Sequence, residues 1–489
     1  MTQNNYLALS AVAATTLVLW KLLRSSNDES KQAPLVSGSL PLIGHLLPLQ
    51  RNPREFIQNA KDKYGPCFRV KLPGQGTLVV VTGDLIPEVM KATKNFDFRK
   101  GVEKLVPSKK VVKMSYDHKF IAEEISPRAK DPIVYPIKNN FKEHQIDIFS
   151  ERIQSGLKRG FQEKLDIAPG ERRTVSLVET LSYIVSSISC PCFAFDDIES
   201  DREFVQGMAS FTDKIIRASI TLMMFPGWLG HLLLRNFFSV EHEMDLIMTR
   251  LVPMLQKARD GAVFEPSFVT MVMNLRKEDG QLRSVADVAY MFKDIAFASI
   301  HTTSHFASIS LHELATRPEL MQELRKELAE LDEMTPESVA SLSLMDSFLR
   351  EVFRCNADFL ALHHLTVKDS VLSTGHLVPK GTTVVLALDQ AHHDPAHVQS
   401  PDLGTFNPYR FMNSSLKSTT IGLDNLPFGI GAHACPGRYF AVNEIKYLIA
   451  EIITKFKVES KTGERAKDNI MLGMTKFPPT EPLIFSLNN

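Results

Sequence analysis

The stretch from Val285 to Ala315 limits the possible folds more than any other part of the chain. Ser284, with Asp287 three residues on, reads as a helix start in the manner of a capping box, and about thirty residues of α-helix span about 45 Å. Apolar side chains cover nearly every face from Ile295 to Ile300, so this helix is predicted to cross the core of a large body. Its middle reads Ala298-Ser299-Ile300-His301-Thr302-Thr303-Ser304. Small and hydroxylic side chains there leave room for a ligand and divert backbone hydrogen bonds, which loosens the helix locally. Taken alone, the same residues read more simply as hydroxyls back-bonded to carbonyls in a crowded core.

The other segments agree with a helix-rich unit. Residues 55–64 read as a helix, and Cys67 to Val81, broken at Pro73-Gly74, as a hairpin of β-branched and aromatic residues. Helical periodicity recurs over 140–160, 175–190, 203–235, 240–260 and 265–277, and strand signals return only at 372–378, 383–387 and 483–486. The expected class is mainly α with small β-sheets (α+β). With no Gly/Ser-rich linker inside them, the 489 residues read as one large unit. Lys plus Arg and Asp plus Glu each number 56, which removes the basic field that a nucleic-acid binder needs. Five scattered cysteines, Cys67, Cys190, Cys192, Cys355 and Cys435, are too few for a disulfide framework and point to a reducing compartment.

Tyr6 to Trp20 carries no charge, and Leu22 and Leu23 extend the apolar run past Lys21, whose stem can snorkel. A cleaved signal peptide would carry a basic segment ahead of this run. Instead Lys21, Arg24 and Lys31 lie downstream, the arrangement of a retained transmembrane anchor with the body on the cytosolic side. The expected organisation is an anchor over 1–24, a polar and proline-rich tether over 25–53, and the main body over 54–489.

Phe428-Gly429-Ile430-Gly431-Ala432-His433-Ala434-Cys435-Pro436-Gly437 stands directly before a helical run from Arg438 to Phe456. Gly429, Gly431 and Gly437 permit a tight loop that presses its backbone against a flat ligand. Cys435 sits just before a helix start, where free N–H groups and the dipole favour a thiolate. Apart from His433, no Cys or His lies at zinc spacing from it, and the chain has no CxxC pair. His301 and His305 are four apart, but the Glu of the helical zinc motif is missing. A single thiolate at a helix N-terminus suits the axial position of haem iron. On the candidate helix Leu344 to Cys355, Glu351 and Arg354 share one face. Phe406-Asn407-Pro408-Tyr409-Arg410-Phe411 offers a second cation to Glu351 from a proline-kinked loop. Buried charge must be paired, so such a triad is expected to be structural.

With Thr302 on the long helix, Glu351-x-x-Arg354, Arg410 and the Phe428 to Gly437 loop in this order, the chain resembles the cytochrome P-450 family of haem-thiolate monooxygenases. The likeness runs from the proline-rich segment to the last strands. It implies the family's triangular, helix-rich prism behind an N-terminal transmembrane helix. It implies Cys435 as axial ligand of haem b iron, with Phe428, Gly429, Gly431, His433 and Gly437 around the cofactor. It also implies Glu351, Arg354 and Arg410 as the structural triad, and Thr302 as the hydroxyl that helps deliver protons at the oxygen site. Electrons would come from NADPH through cytochrome P-450 reductase, with cytochrome b5 as a second candidate donor. The implied location is the endoplasmic-reticulum membrane, single-pass, with the catalytic domain facing the cytosol.

Several positions depart from the family's pattern. The residue before Thr302 is usually acidic and here is His301, a replacement that resembles P-450s of filamentous-fungal secondary metabolism. By that analogy the substrate is a bulky apolar molecule, a fungal terpenoid, indole-diterpene or polyketide intermediate, and His301 takes a catalytic part beside Thr302. Ala432 stands where a basic residue often precedes the loop histidine, and His364 where an arginine often reaches a haem propionate. The usual Trp-x-x-x-Arg feature is absent, leaving Lys138 or Lys142 in its stead. Lys138, Lys142, Arg438 and Lys446 are expected to form a basic patch for the reductase on the cysteine side. The acid-to-histidine change also keeps a haem-thiolate isomerase, dehydratase or phenol-coupling enzyme in view, and beside it a haem-binding sensor without turnover. Thr302 argues against these, since none needs a threonine beside the oxygen site.

Overall fold

The computed structural model describes residues 29–488 apart from 124, 126–130 and 226. The anchor expected over 1–24 lies outside them, and among the described residues no helix is long and apolar enough to cross a membrane. The proline-rich segment that follows is packed onto the body. Leu35 bridges to Arg69, Ala33 is buried, and Leu46–Arg51 forms a short helix that buries Leu49.

Cys67–Leu72 (β1) and Gly76–Val81 (β2) form the hairpin read from the sequence, in a register running from Cys67 opposite Val81 to Leu72 opposite Gly76. They belong to a five-stranded sheet with Phe96–Asp97 (β3), Ala361–Thr366 (β4) and Thr383–Leu386 (β5), in the order β1-β2-β5-β4-β3. Only β2 and β5 run parallel. Both are valine-rich and fully buried through Val79–Val81 and Val384–Leu386, as expected of strands covered on two faces. β4 escapes a reading of the sequence because its ladder is broken. A bulge falls between Ala361 and His364, and Leu362 takes φ 49° within it. Near the C-terminus Asn469–Met471 (β6) and Thr475–Phe477 (β7) form a second hairpin. Its tip lies against Leu49, and the Phe359 and Leu360 N–H groups donate to its Met474 carbonyl. The strand expected over 372–378 is instead a pair of two-residue strands, Ser370–Val371 and Leu377–Val378, around a turn.

The helices that carry the site are Phe98–Leu105 (α1), Leu177–Phe193 (α2), Arg202–Met224 (α3), Val285–Leu314 (α4), Ser343–Cys355 (α5) and Arg438–Lys455 (α6). The single helical stretch expected over 203–235 splits after Met224. Phe225 goes extended, at φ −110° and ψ 151°, because it precedes Pro226, and Gly227–Phe237 starts a new helix. α4 is the thirty-residue helix predicted, capped by the Ser284 hydroxyl, which accepts from the Asp287 N–H at 3.0 Å. It remains regular through Ser299–Ser304, so the expected loosening does not occur. Thr302 and Ser304 donate to the carbonyls of Ala298 and Ile300, at 2.8 and 2.7 Å, alongside an intact helix. α4 packs against α2 and α6, and one continuous apolar core surrounds the three.

Candidate active site

The cysteine loop is closed by its own backbone. Gly429 and Gly431 take φ of +63° and +67°, a region that penalises any Cβ, and the Cys435 N–H donates to the Phe428 carbonyl at 2.7 Å. Gly437 does not share this constraint. Its φ is −90°, and among the described protein atoms a Cβ there would meet nothing nearer than Ile137 at 3.8 Å. The Arg438 guanidinium donates to the Cys435 carbonyl at 2.9 Å and to the Thr419 carbonyl at 3.1 Å, with its plane over Tyr439. Burial raises the Cys435 thiol above its ordinary value. The backbone amides of Gly437 and Arg438 and the Arg438 charge offset this only in part. Coordination to a metal cation deprotonates such a thiol outright.

The middle of α4 opens into a cleft. Ala298 and Thr302, one turn apart, are exposed although they lie in the middle of a helix whose Ile300 and Thr303 are buried. One turn further, Phe306 meets Phe353 of α5 edge to face at 4.9 Å, and Phe353 meets Phe428 in the same way at 5.3 Å. This aromatic chain ties the cysteine loop to the open face of α4. The Thr302 hydroxyl proton is committed to Ala298, so toward the cleft Thr302 offers an acceptor. The neighbouring His301 is held to a pKa of about 4 by burial, against a weak opposing pull from Asp213, and is neutral at pH 7.

The opposite edge is built by α1 on β4. A Cβ on Gly101 would fall 2.2 Å from the His363 carbonyl, so only glycine lets the helix lie directly on the strand. That approach sets the Phe98 ring 5.3 Å from His364 and 5.5 Å from His433, with the two histidine rings 6.1 Å apart. His364 Nδ1 lies 2.5 Å from the Leu362 carbonyl and must donate to it. The Nε2 atoms of His364 and His433 are buried without partners among the described residues. Orphaned polar atoms are costly unless something meets them. Two at one edge, a half-buried cysteine beyond them and aromatic walls between suit a flat, largely apolar group with acidic substituents on one side. These residues fit haem. Cys435 would ligate its iron, and His364 and His433 would meet its propionates. Lys138 and Lys142 are solvent-exposed, so neither is buried at this edge in place of the missing arginine. The expected four-residue basic patch also fails. Arg438 is spent on the loop carbonyls, and Lys446 is buried, paired with Asp346 at 2.8 Å and donating to the Val339 carbonyl.

Glu351, Arg354 and Arg410 come together in the core. Arg354 grips the carboxylate in bidentate fashion at 2.7 and 2.8 Å, Arg410 Nε bridges both oxygens at 3.1 Å, and the Asn407 N–H adds a bond at 2.9 Å. The remaining guanidinium N–H groups hold the carbonyls of His392 and Leu403 (from Arg354) and of Pro401, Asp402 and Thr405 (from Arg410). Two contributors were missed from sequence. His392 is fully buried. Its Nε2 accepts from the Leu426 N–H at 2.8 Å and its Nδ1 meets the Arg354 carbonyl at 3.1 Å, linking the triad to the cysteine loop. Glu444 of α6 is a buried acid that accepts from the Ser189 hydroxyl at 3.0 Å and is pushed up to about 8 by burial. Its only sequence signal is an acidic residue among the apolar positions of α6.

The chain matches the cytochrome P450 family over residues 34–484. It is 25% identical to cytochrome P450 monooxygenase 71 of Postia placenta, over 99% of this chain and 97% of that protein. It is 26% identical to cytochrome P450 monooxygenase paxP of Penicillium paxilli over 66% of each chain, and 25% identical to cytochrome P450 monooxygenase janP of Penicillium janthinellum over 69% of each.

Proposed function

Since the chain belongs to the cytochrome P450 family of haem-dependent oxidoreductases, we propose that it is a membrane-anchored monooxygenase that oxidises a bulky apolar fungal metabolite of the terpenoid, indole-diterpene or polyketide kind. The observation that carries this reading is the line of ring contacts from Phe306 through Phe353 to Phe428, which joins the turn of α4 that follows Thr302 to the cysteine loop. When bound, haem supplies the centre where dioxygen is cleaved, one atom entering the substrate and the other leaving as water, with two electrons drawn from NADPH through a reductase. Cys435 would hold the iron, and its backbone is kept in place by the Phe428–Cys435 bond and the Arg438 bridge. On the other side Thr302, as an acceptor, can hold a water that carries the required protons. His301, neutral and adjacent, can both take up and release a proton beside it. The apolar run at Tyr6 to Trp20, with Lys21, Arg24 and Lys31 behind it, supports an endoplasmic-reticulum anchor with the body facing the cytosol.

Thr302→Ala in the reductase-supported holoenzyme should keep haem and substrate binding yet divert NADPH oxidation into released hydrogen peroxide, with Thr302→Ser largely preserving coupling. Unchanged coupling in Thr302→Ala would count against the reading. Turnover without NADPH and dioxygen would mark an isomerase or dehydratase instead.

A further inference from the structure

We propose that His301 and His305 form a polar subsite in the wall of the substrate cleft, which hydrogen-bonds a hydroxyl or carbonyl oxygen already present on an otherwise apolar substrate. The inference rests on the reading that the cleft beside Thr302 receives the substrate. The two histidines stand one turn apart on the same face of α4, with ring centres 6.0 Å apart. β7 brings Phe477 against both, 6.1 Å from His301 and 6.0 Å from His305, and Phe306 lies 5.2 Å from His305. The Phe477 wall is held in place. The N–H of its neighbour Lys476 donates to Asp358 at 2.8 Å, while Lys476 Nζ binds Asp389 at 3.0 Å and the Cys355 carbonyl at 2.9 Å.

Among the described residues neither histidine ring has a hydrogen-bonding partner, and both are partly open, next to the exposed Ala298 and Thr302. Burial holds His301 near 4 and His305 near 3, so at pH 7 each ring is neutral, with one N–H donor and one bare nitrogen. A neutral donor–acceptor pair framed by phenyl rings does not suit a carboxylate or phosphate. A single hydroxyl can donate to one ring and accept from the other, with hydrogen bonds of about 2.8 Å bent across the gap. A metal ion is a poor occupant, because among the described residues no third His, Cys, Asp or Glu completes a ligand set. The substrate would therefore reach this enzyme after an earlier reaction has placed oxygen on its carbon skeleton.

The test titrates the holoenzyme with matched probes, such as androstane and 3-hydroxyandrostane and two further polycyclic hydrocarbon and alcohol pairs, reading the haem spin-state absorbance shift. In wild type each alcohol should bind about tenfold or more tightly than its hydrocarbon, as expected for one well-made hydrogen bond. In His301→Phe/His305→Phe the preference should fall to within about twofold, with hydrocarbon affinity and the reduced carbon monoxide spectrum retained. Equal binding of both members by wild type, or a preference that survives the double substitution, overturns the subsite. Absence of any shift with all six probes overturns the placement of the substrate on which it rests. Failure of the monooxygenase reading shows separately, as missing NADPH- and dioxygen-dependent turnover, because the spin shift needs neither.

Discussion

Replacing Glu351 with glutamine removes one negative charge from a site where everything else stays in place. The carboxylate is fully buried and accepts from Arg354, Arg410 and the Asn407 N–H at 2.7 to 3.1 Å. Glutamine keeps the volume and one acceptor, but it turns an NH2 group toward a guanidinium and leaves two buried cations without a counter-charge. Breaking a buried pair from one side costs about 3–5 kcal/mol, a large share of the roughly 5–15 kcal/mol that holds a typical domain folded. The damage should not stay local, because the same two arginines hold the carbonyls of His392, Pro401, Asp402, Leu403 and Thr405. Urea unfolding followed by haem absorbance and by far-UV circular dichroism should show a midpoint lowered by about 0.5–1 M, with less haem per chain. Lys113→Gln serves as the control, since it breaks an exposed 3.8 Å pair with Asp117 and should cost under about 1 kcal/mol. If Glu351→Gln matches this control in midpoint and haem content, the triad does not carry the charge balance argued for it.

Glu444 predicts a pH dependence. Its raised pKa, about 8, means that the folded chain keeps a proton which the unfolded chain, near an ordinary value of about 4.3, releases. Stability should therefore fall as pH rises from about 4.5 to 8 and level off above that. Glu444→Gln should match wild type near pH 5 and exceed it at pH 8, and parallel urea midpoints across that window would contradict the assignment. His392→Phe leaves the buried Leu426 N–H without its acceptor, a loss of about 1–3 kcal/mol. It should speed haem transfer to apomyoglobin, and an unchanged rate would show that the loop does not depend on it. Deleting residues 1–24 should move the protein from membranes to the soluble fraction with its carbon monoxide spectrum intact. A mature chain starting near residue 25 in native membranes would instead point to a cleaved signal.

What could be read from the sequence was whatever is encoded locally. α4 announces itself by periodicity and its Ser284 cap, the Phe428–Cys435 turn by two glycines that reach positive φ, and the pairing of Glu351 with Arg354 by helical spacing. What escaped depends on distant partners. β4 is invisible because the bulge at Leu362 breaks its alternation, and with it went the placement of His363 and His364 on α1. Arg438 and Lys446 look like surface cations, yet their heads are spent on the Cys435 carbonyl and on Asp346. The meeting of His301 and His305 with Phe477 depends on a hairpin far along the chain whose position is fixed by Asp358, Asp389 and Leu49. At Cys435 burial raises the thiol against the pull of the helix start, an opposition that no local pattern reveals.

The central claim is that Cys435 holds the cofactor through its sulfur, and the most direct measurement is the absorbance spectrum of the reduced carbon monoxide complex for wild type and Cys435→Ser. Wild type should show the strongly red-shifted Soret band of thiolate ligation, and Cys435→Ser should lose it while the chain remains folded by circular dichroism. A folded Cys435→Ser protein that retains the red-shifted band would contradict the account.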